Sequence, residues 1–432
     1  MNAPTPIRLS AVDQDKEREL AQTLFAELRA RSTDDPGITR ECFAAGENAA
    51  LEVLRDTAEK HGLKCSLDHG ANLIVARSDD DLSKPAIILG SHADSVPHGG
   101  NFDGGAGLIA GLLCMIRLQE ERRQLNAPVR LLAMRGEESA YYGRANIGSR
   151  ALFGLLTSND LNAKRQGTGR SLREAMSSVG ADVAAIEQGA PLLPLGFAAA
   201  YLELHIEQGP VMIARDLPTA VVTGIRGNLR HRRVICRGEA GHSGTVPRWL
   251  RRDAVFAVAD LIMRLDEHWN RLLERGIDLV VTSGIYQTDP SQQAISRIPG
   301  ELYFSFEVRS QSFETLEGFY ELFRSECRAV SDLRKVSFEF DERVYTEPAR
   351  MNETIIQRLT ATSNQLGYPT EIIPSGAGHD AAVFANAGIP SGMIFIRNRN
   401  GSHNPEEDMA LDDFLKGVNL MYEFARRGVQ GS

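Results

Sequence analysis

The sequence predicts a two-domain α/β protein, with a discontinuous α/β domain over 1–215 and 334–432 and an α+β domain inserted over 216–333. Three observations carry this expectation. At 432 residues the chain is longer than one ordinary hydrophobic core sustains. Through both outer segments, apolar runs of strand length alternate with helix-like stretches, the pattern of strands buried by flanking helices. Between Asp216 and Leu333 the texture changes to alternating strands around two long helices.

In the outer segments the strand candidates are Ala86–Gly90, Val129–Met134, Ala198–Leu204 and Gly392–Ile396, each a short apolar run beside a polar or glycine-rich stretch. Gly105–Glu120 reads as an apolar helix. In the insertion, Ala220–Ile225, Arg232–Cys236, Leu279–Ile285 and Leu302–Val308 read as strands, and Asp253–Leu273 as an amphipathic helix with Val255, Val258, Leu261, Ile262 and Leu265 at helical spacing. Motif-bearing segments flank this insertion on both sides, so it is expected to lie over their site as a lid.

Composition narrows the function classes. A formal charge of −9 without a long basic run disfavours nucleic acid or a membrane surface as partner. Residues 1–10 lack a basic stretch followed by an apolar one, and no apolar run approaches the roughly 20 residues that span a bilayer, so a cytoplasmic protein is expected. The five cysteines are scattered and never spaced Cys-x-x-Cys, which leaves His and carboxylates as the only plausible metal ligands.

Four constellations follow the strand candidates. Behind Ala86–Gly90 comes Ser91-His92-Ala-Asp94, and then Asp103 among glycines. A loop at the C-terminal edge of such a strand can project an imidazole and a carboxylate into the crevice where open α/β sheets bind ligands. His92 then suits a metal, Asp94 suits its second ring nitrogen, and Asp103 suits a bridge between two ions. A bare His-x-Asp is more often a capped turn. Behind Val129–Met134 comes Arg135-Gly136-Glu137-Glu138; adjacent acids at a buried strand end need a reason, which Glu138 as ligand and Glu137 as general base supply. His205 ends the third strand and would, taken alone, be a core histidine. Ser375-Gly-Ala-Gly378-His379-Asp380 and Arg397-Asn-Arg-Asn-Gly-Ser-His403 bracket the fourth strand, with His403 the evident ligand. Three histidines and two or three carboxylates at strand ends are what a pair of zinc-like ions requires without thiolates.

In the order and spacing of GSHADSVPHGGNFDG, RGEES, LELHIEQGPV, GEAGHSGTVP, LRRDA, SGAGHDA and GSHNPEE, nearly the whole chain resembles one family. It is that of the two-metal hydrolases related to aminoacylases and carboxypeptidase G, in the branch of allantoate amidohydrolases, ureidopropionases and N-carbamoyl-L-amino-acid hydrolases. The resemblance implies two divalent metal ions per subunit (zinc, or manganese, cobalt or nickel), one on His92 and His205, the other on Glu138 and His403, with Asp103 bridging and Glu137 as base. His205 stands where peptidase relatives usually have an acid, which points to ureido or related small amide substrates. Gln208, Gly378 and His379 are implied substrate contacts, and Arg309 the grip on a substrate carboxylate. His242 resembles the lid histidine that reaches the partner subunit's site, which implies a homodimer joined through the inserted domain.

Two positions depart from the pattern. Ser296 stands where many relatives carry a substrate-binding Asn, and its hydroxyl cannot reproduce an amide's paired donor and acceptor. Arg248 stands where relatives usually have Met. The alternatives are an aminoacylase or dipeptidase on the same scaffold, a non-catalytic binding protein, and a dinucleotide enzyme suggested by Gly105-Ala-Gly107, whose third glycine, Gly111, falls one residue beyond the usual spacing.

Overall fold

The computed structural model describes residues 11–122, 124–193 and 196–428. The chain divides into two compact units, Met1–Thr223 with Arg350–Ser432, and Gly224–Ala349.

The larger unit is built on a mixed sheet. Its centre is four strands in the order Val129–Met134, Ala86–His92, Ala198–Ile206, Ser391–Ile396, all mutually parallel. Antiparallel strands flank them, with Leu73–Ala76 and then Lys64–Leu67 on one side and Thr219–Ile225 on the other. Three of the four central strands are buried at every position and Ala198–Ile206 from its third residue onward, as expected of parallel strands covered on both faces. Helices Ala45–Lys60, Gly105–Glu121 and Leu411–Arg427 share one apolar core with them. Parallel strands end on one edge, so the residues that close these four converge whatever their distance in sequence.

Gly107 explains the glycine pattern that suggested a dinucleotide site. A Cβ there would lie 2.2 Å from the Leu204 carbonyl oxygen and 2.6 Å from Ser91 Cβ. The helix packs so closely on the sheet that only glycine fits.

The smaller unit is an antiparallel sheet in the order Tyr286–Thr288, Glu301–Ser310, Gly227–Arg237, Ser337–Phe340, with Val280–Thr282 and Val344–Thr346 also paired to its two long strands. Glu301–Ser310 alternates strictly between half-buried and buried positions, the mark of a sheet covered on one face. Helices Ala254–Glu274 and Phe313–Arg334 supply that cover.

Strand pairing sets the junctions later than the sequence suggests. Thr219–Ile225, read as part of the insertion, pairs with Ser391–Ile396 in the large sheet, Ile394 facing Val221. Ser337–Phe340 and Val344–Thr346, read as part of the outer domain, pair with Gly227–Arg237. Two strands run further than their apolar cores: His92 is the last residue of Ala86–His92 and His205 lies within Ala198–Ile206, so both imidazoles stand on rigid strand rather than loop.

Candidate metal centre

His92 and His205 lie side by side at the ends of neighbouring central strands, their rings 5.6 Å apart between centroids and 26° from parallel. His205 Nδ1 is 2.8 Å from the Ile206 carbonyl oxygen and His92 Nδ1 is 3.1 Å from that of Asp94. A carbonyl oxygen only accepts, so both Nδ1 atoms carry the hydrogen, and in the neutral rings both Nε2 lone pairs face inward. They meet at 3.4 Å, and Asp103 Oδ1 lies 3.3 Å from one and 3.2 Å from the other. That oxygen is buried and, among the described residues, has no hydrogen-bond partner. Three lone pairs converging on a point are satisfied by a cation. Their spacing matches the edge of a tetrahedron with metal–ligand bonds of about 2.0–2.1 Å, which is roughly 3.3–3.4 Å.

The second oxygen of Asp103 turns to a second set. His403 Nε2 is 3.4 Å from Asp103 Oδ2 and 3.2 Å from Glu138 Oε1. The two groups His92, Asp103, His205 and Asp103, Glu138, His403 each present ligand atoms within 4.8 Å of one another and share Asp103. The donor set of imidazole and carboxylate suits zinc, manganese, cobalt and nickel alike.

The supports are built from the main chain upward. Gly136, at φ +64°, turns the chain just beyond Val129–Met134. The next two N–H groups, of Glu137 and Glu138, donate to the two Asp94 carboxylate oxygens at 3.0 Å each. Asp94 therefore does more than orient His92, whose Nδ1 is 3.4 Å from its carboxylate; it clamps the acidic pair against the strand that bears His92. Arg135 and Glu47 brace the turn from behind, Glu47 also accepting the Gly136 N–H at 3.0 Å. Glu407 accepts the N–H groups of Phe102 and Asp103 at 2.8 and 3.1 Å, and Ser402 bridges Glu407 to Asp103 Oδ2 at 2.5 Å on each side. Beneath lies Arg40, wholly buried, donating to the carbonyls of Ala93 and Asp103 at 2.8 and 3.1 Å. Arg40, Asn146, Ser402 and Glu407 were not singled out in the sequence. Proximity to His403 is a signal for the last two; nothing local marks the others.

The electrostatics demand positive charge. Burial opposes ionisation of Asp103, yet the imidazoles of His205, His403 and His92 around it, to the extent that they are protonated in the absence of metal, hold its carboxyl well below the usual range. Hydrogen bonds to Asp103 and Glu138 lift His403 to about 10. The pull that holds a proton on His403 is equally a pull on a divalent cation. Burial first, and then the charges of Glu138, Asp380 and Asp94, push Glu137 well above an ordinary glutamate, with His92 opposing; that is the direction a proton carrier needs. Glu137 is not among the ligand groups.

The remaining expected residues divide between the units. Gln208, at φ +62°, donates through Nε2 to Asp103 Oδ2 at 2.7 Å, while among the described residues its buried Oε1 has no hydrogen-bond partner. His379, 1% exposed, packs edge-on to His205 and bonds Ser375 Oγ at 2.9 Å, while Gly378 before it is exposed. In the smaller unit Gly241–His242 pairs with Arg297–Ile298, and the Ser243 N–H bonds the Ser296 carbonyl at 2.8 Å, so His242 and Ser296 are neighbours. The exposed His242 accepts the Gly244 N–H on Nδ1 at 3.1 Å, which leaves an outward Nε2–H in the neutral ring. Arg309 is engaged by Glu307 through two contacts of 3.1 and 3.2 Å on its own strand.

Comparison with known proteins identifies the family. Residues 88–427 match the model of peptidase family M20/M25/M40. The chain is 32% identical to an N-carbamoyl-L-amino acid amidohydrolase of Geobacillus stearothermophilus, over 91% of this chain and 94% of that protein. It is 30% identical to the allantoate amidohydrolase of Escherichia coli strain K12, over 90% and 93%. Among solved structures it resembles a hydantoinase/carbamoylase family amidase from Burkholderia multivorans, with a TM-score of 0.84 and 25% identity over 95% of this chain and 97% of that one. The chain belongs to peptidase family M20/M25/M40, and within it to the hydantoinase/carbamoylase-type amidohydrolases, enzymes that hydrolyse carbon–nitrogen bonds with divalent metal.

Proposed function

We propose that this enzyme hydrolyses a C–N bond in a small linear ureido or amide compound that bears a carboxylate, such as an N-carbamoyl amino acid or allantoate. Two divalent ions would be held, one by His92 and His205 and one by Glu138 and His403, with Asp103 shared. The observation that carries this reading is the pair of ligand groups joined at one carboxylate, with the unligated acid Glu137 in the same turn as Glu138. When bound, the ions supply Lewis-acid polarisation of the substrate carbonyl and a lowered pKa for the attacking water.

The chain's own residues do the rest. Glu137 takes the proton from the attacking water and returns it to the leaving nitrogen as the C–N bond breaks. Asp94 holds that glutamate in place through its main chain. His242 offers Nε2–H to the carbonyl oxygen as it gains charge, a donor whose loss typically costs about 3 kcal/mol in the barrier. Arg309 leaves Glu307 to grip the substrate carboxylate through two parallel hydrogen bonds. Gln208, Ser296 and the exposed backbone at Gly378 line the substrate, and His379 backs the ring of His205. For a carbamoyl substrate, one water converts the compound to the amine, ammonia and carbon dioxide. The active species is a homodimer in which each inserted domain serves as a lid delivering His242 to the other subunit's site.

A panel of N-carbamoyl, N-acyl and dipeptide substrates, assayed on protein loaded in turn with zinc, manganese, cobalt and nickel, tests the reading. Turnover highest on the carbamoyl or ureido members is expected. Turnover confined to dipeptides or N-acyl amino acids would replace it with the aminoacylase or dipeptidase alternative, and full activity in a verified monomer would remove the shared site.

A further inference from the structure

Glu137 needs its carboxylate aimed, yet three of the charges around it repel it, with His92 opposing them. Glu138, Asp380 and Asp94 are all negative neighbours. Among the described residues a single side chain donates to that carboxylate: Asn146 Nδ2 lies 3.1 Å from Glu137 Oε1. The same nitrogen lies 3.1 Å from Asp380 Oδ1, so the two hydrogens of one amide serve two carboxylates. Asp380 is fixed in turn, its Oδ1 accepting Ser149 Oγ at 2.5 Å, and it is 1% exposed.

The backbone holds this amide in register with its target. The N–H groups of Asn146, Ile147 and Gly148 bond the carbonyls of Glu137, Gly136 and Arg135 at 2.9, 2.7 and 2.8 Å. Asn146 thereby lies directly across from Glu137 and is tied to it twice, by main chain and by side chain. It adopts φ 54° and ψ 39°, a left-handed conformation that asparagine tolerates better than most residues. That conformation alone would explain an asparagine, but it would not explain an amide shared between two acids.

We propose that Asn146 is a positioning residue for the reaction: its amide, oriented by Asp380 and Ser149, sets the direction of the Glu137 carboxylate. The inference rests on the reading of Glu137 as the proton carrier. A neutral donor suits the task, since a cation there would pair with Glu137 and spoil it as a base, whereas an amide fixes direction and leaves the charge. Asp380 acts through Asn146, holding the amide on the side from which it reaches Glu137.

Asn146→Gly separates the two explanations, because glycine keeps the left-handed backbone at no steric cost and removes the amide. Loss of a hydrogen bond to a charged group predicts a fall in kcat of about tenfold to a hundredfold. KM, metal content and melting temperature should stay near those of the unmodified enzyme. A crystal structure of metal-free Asn146→Gly should show the Glu137 carboxylate rotated from its place. Asp380→Asn should lower kcat by itself and add little in the Asn146→Gly background, since both changes break one linkage. A kcat of Asn146→Gly equal to the unmodified enzyme's, or an unmoved Glu137 in the crystal, would overturn the proposal. Glu137→Gln is the control that tells the failures apart. If it abolishes turnover while Asn146→Gly does not, only the positioning role falls; if it leaves turnover intact, the base assignment falls first.

Discussion

Asp103 is the one side chain common to both ligand groups, so its removal should undo two sites where removal of any other ligand undoes one. Asp103→Ala takes away the oxygen that faces His92 and His205 and the oxygen that faces His403 together. His92→Ala leaves the Asp103, Glu138, His403 group whole. The difference has a size. An ion at a hundredfold excess over its dissociation constant stabilises the folded state by about 2.7 kcal/mol, so two independent sites give about 5 kcal/mol, one gives half, and none gives nothing. Elemental analysis of protein equilibrated with zinc should therefore read two ions per chain for the unmodified protein, one for His92→Ala and none for Asp103→Ala. Calorimetry with and without chelator should show the stabilisation falling in the same ratio. The effect should appear in the transition of the larger unit, which contains every ligand, and not in that of residues 224–349. Asp103→Ala protein that still carries one tightly bound ion would refute the shared carboxylate.

Three further outcomes are expected. Glu137→Gln should keep both ions but lose about 10²- to 10⁴-fold in kcat, the usual worth of a general acid–base; elemental analysis beside steady-state kinetics decides, and lost metal would mean that Glu137 is a ligand. Because Asp103 and Glu138 raise His403 to about 10 in the metal-free protein, its proton must leave when a metal binds. Zinc added at pH 8 in weak buffer should release protons, and apparent affinity should rise with pH throughout the range below about 10 and level off above it; affinity independent of pH would contradict the assignment. In the folded metal-free state the raised value means His403 stabilises fully below its unfolded value and loses this as pH climbs through about 10. Gly107→Ala should destabilise the larger unit by about 1–3 kcal/mol in urea unfolding, since the new methyl meets the Leu204 carbonyl at 2.2 Å; a gain in stability would show that the helix can shift.

The sequence by itself determined the chemistry on offer. Absent paired cysteines, with His92, His205 and His403 beside Asp103 and Glu138 at the ends of apolar runs, the candidate ligand types were legible, because buried parallel strands read as apolar runs and their polar successors stand out. The lengths of those strands were not. His92 looks like a loop residue until pairing with Met134 shows it on the sheet, and the strand that His205 was read to end runs on through Ile206, opposite Ile396. Nor were the unit boundaries, since Thr219–Ile225 is a strand in either sheet until hydrogen bonds choose a partner.

Only the tertiary structure decided how the candidate ligands are held. Arg40 under Ala93 and Asp103, Asp94 on two main-chain N–H groups, Glu407 behind Asp103 and Asn146 between Glu137 and Asp380 act across gaps of 9 to 304 residues. A ligand is recognised by its own chemistry, which the sequence carries. A support is recognised by what it touches, and hydrogen bonds between distant residues leave no period or spacing in the chain that makes them.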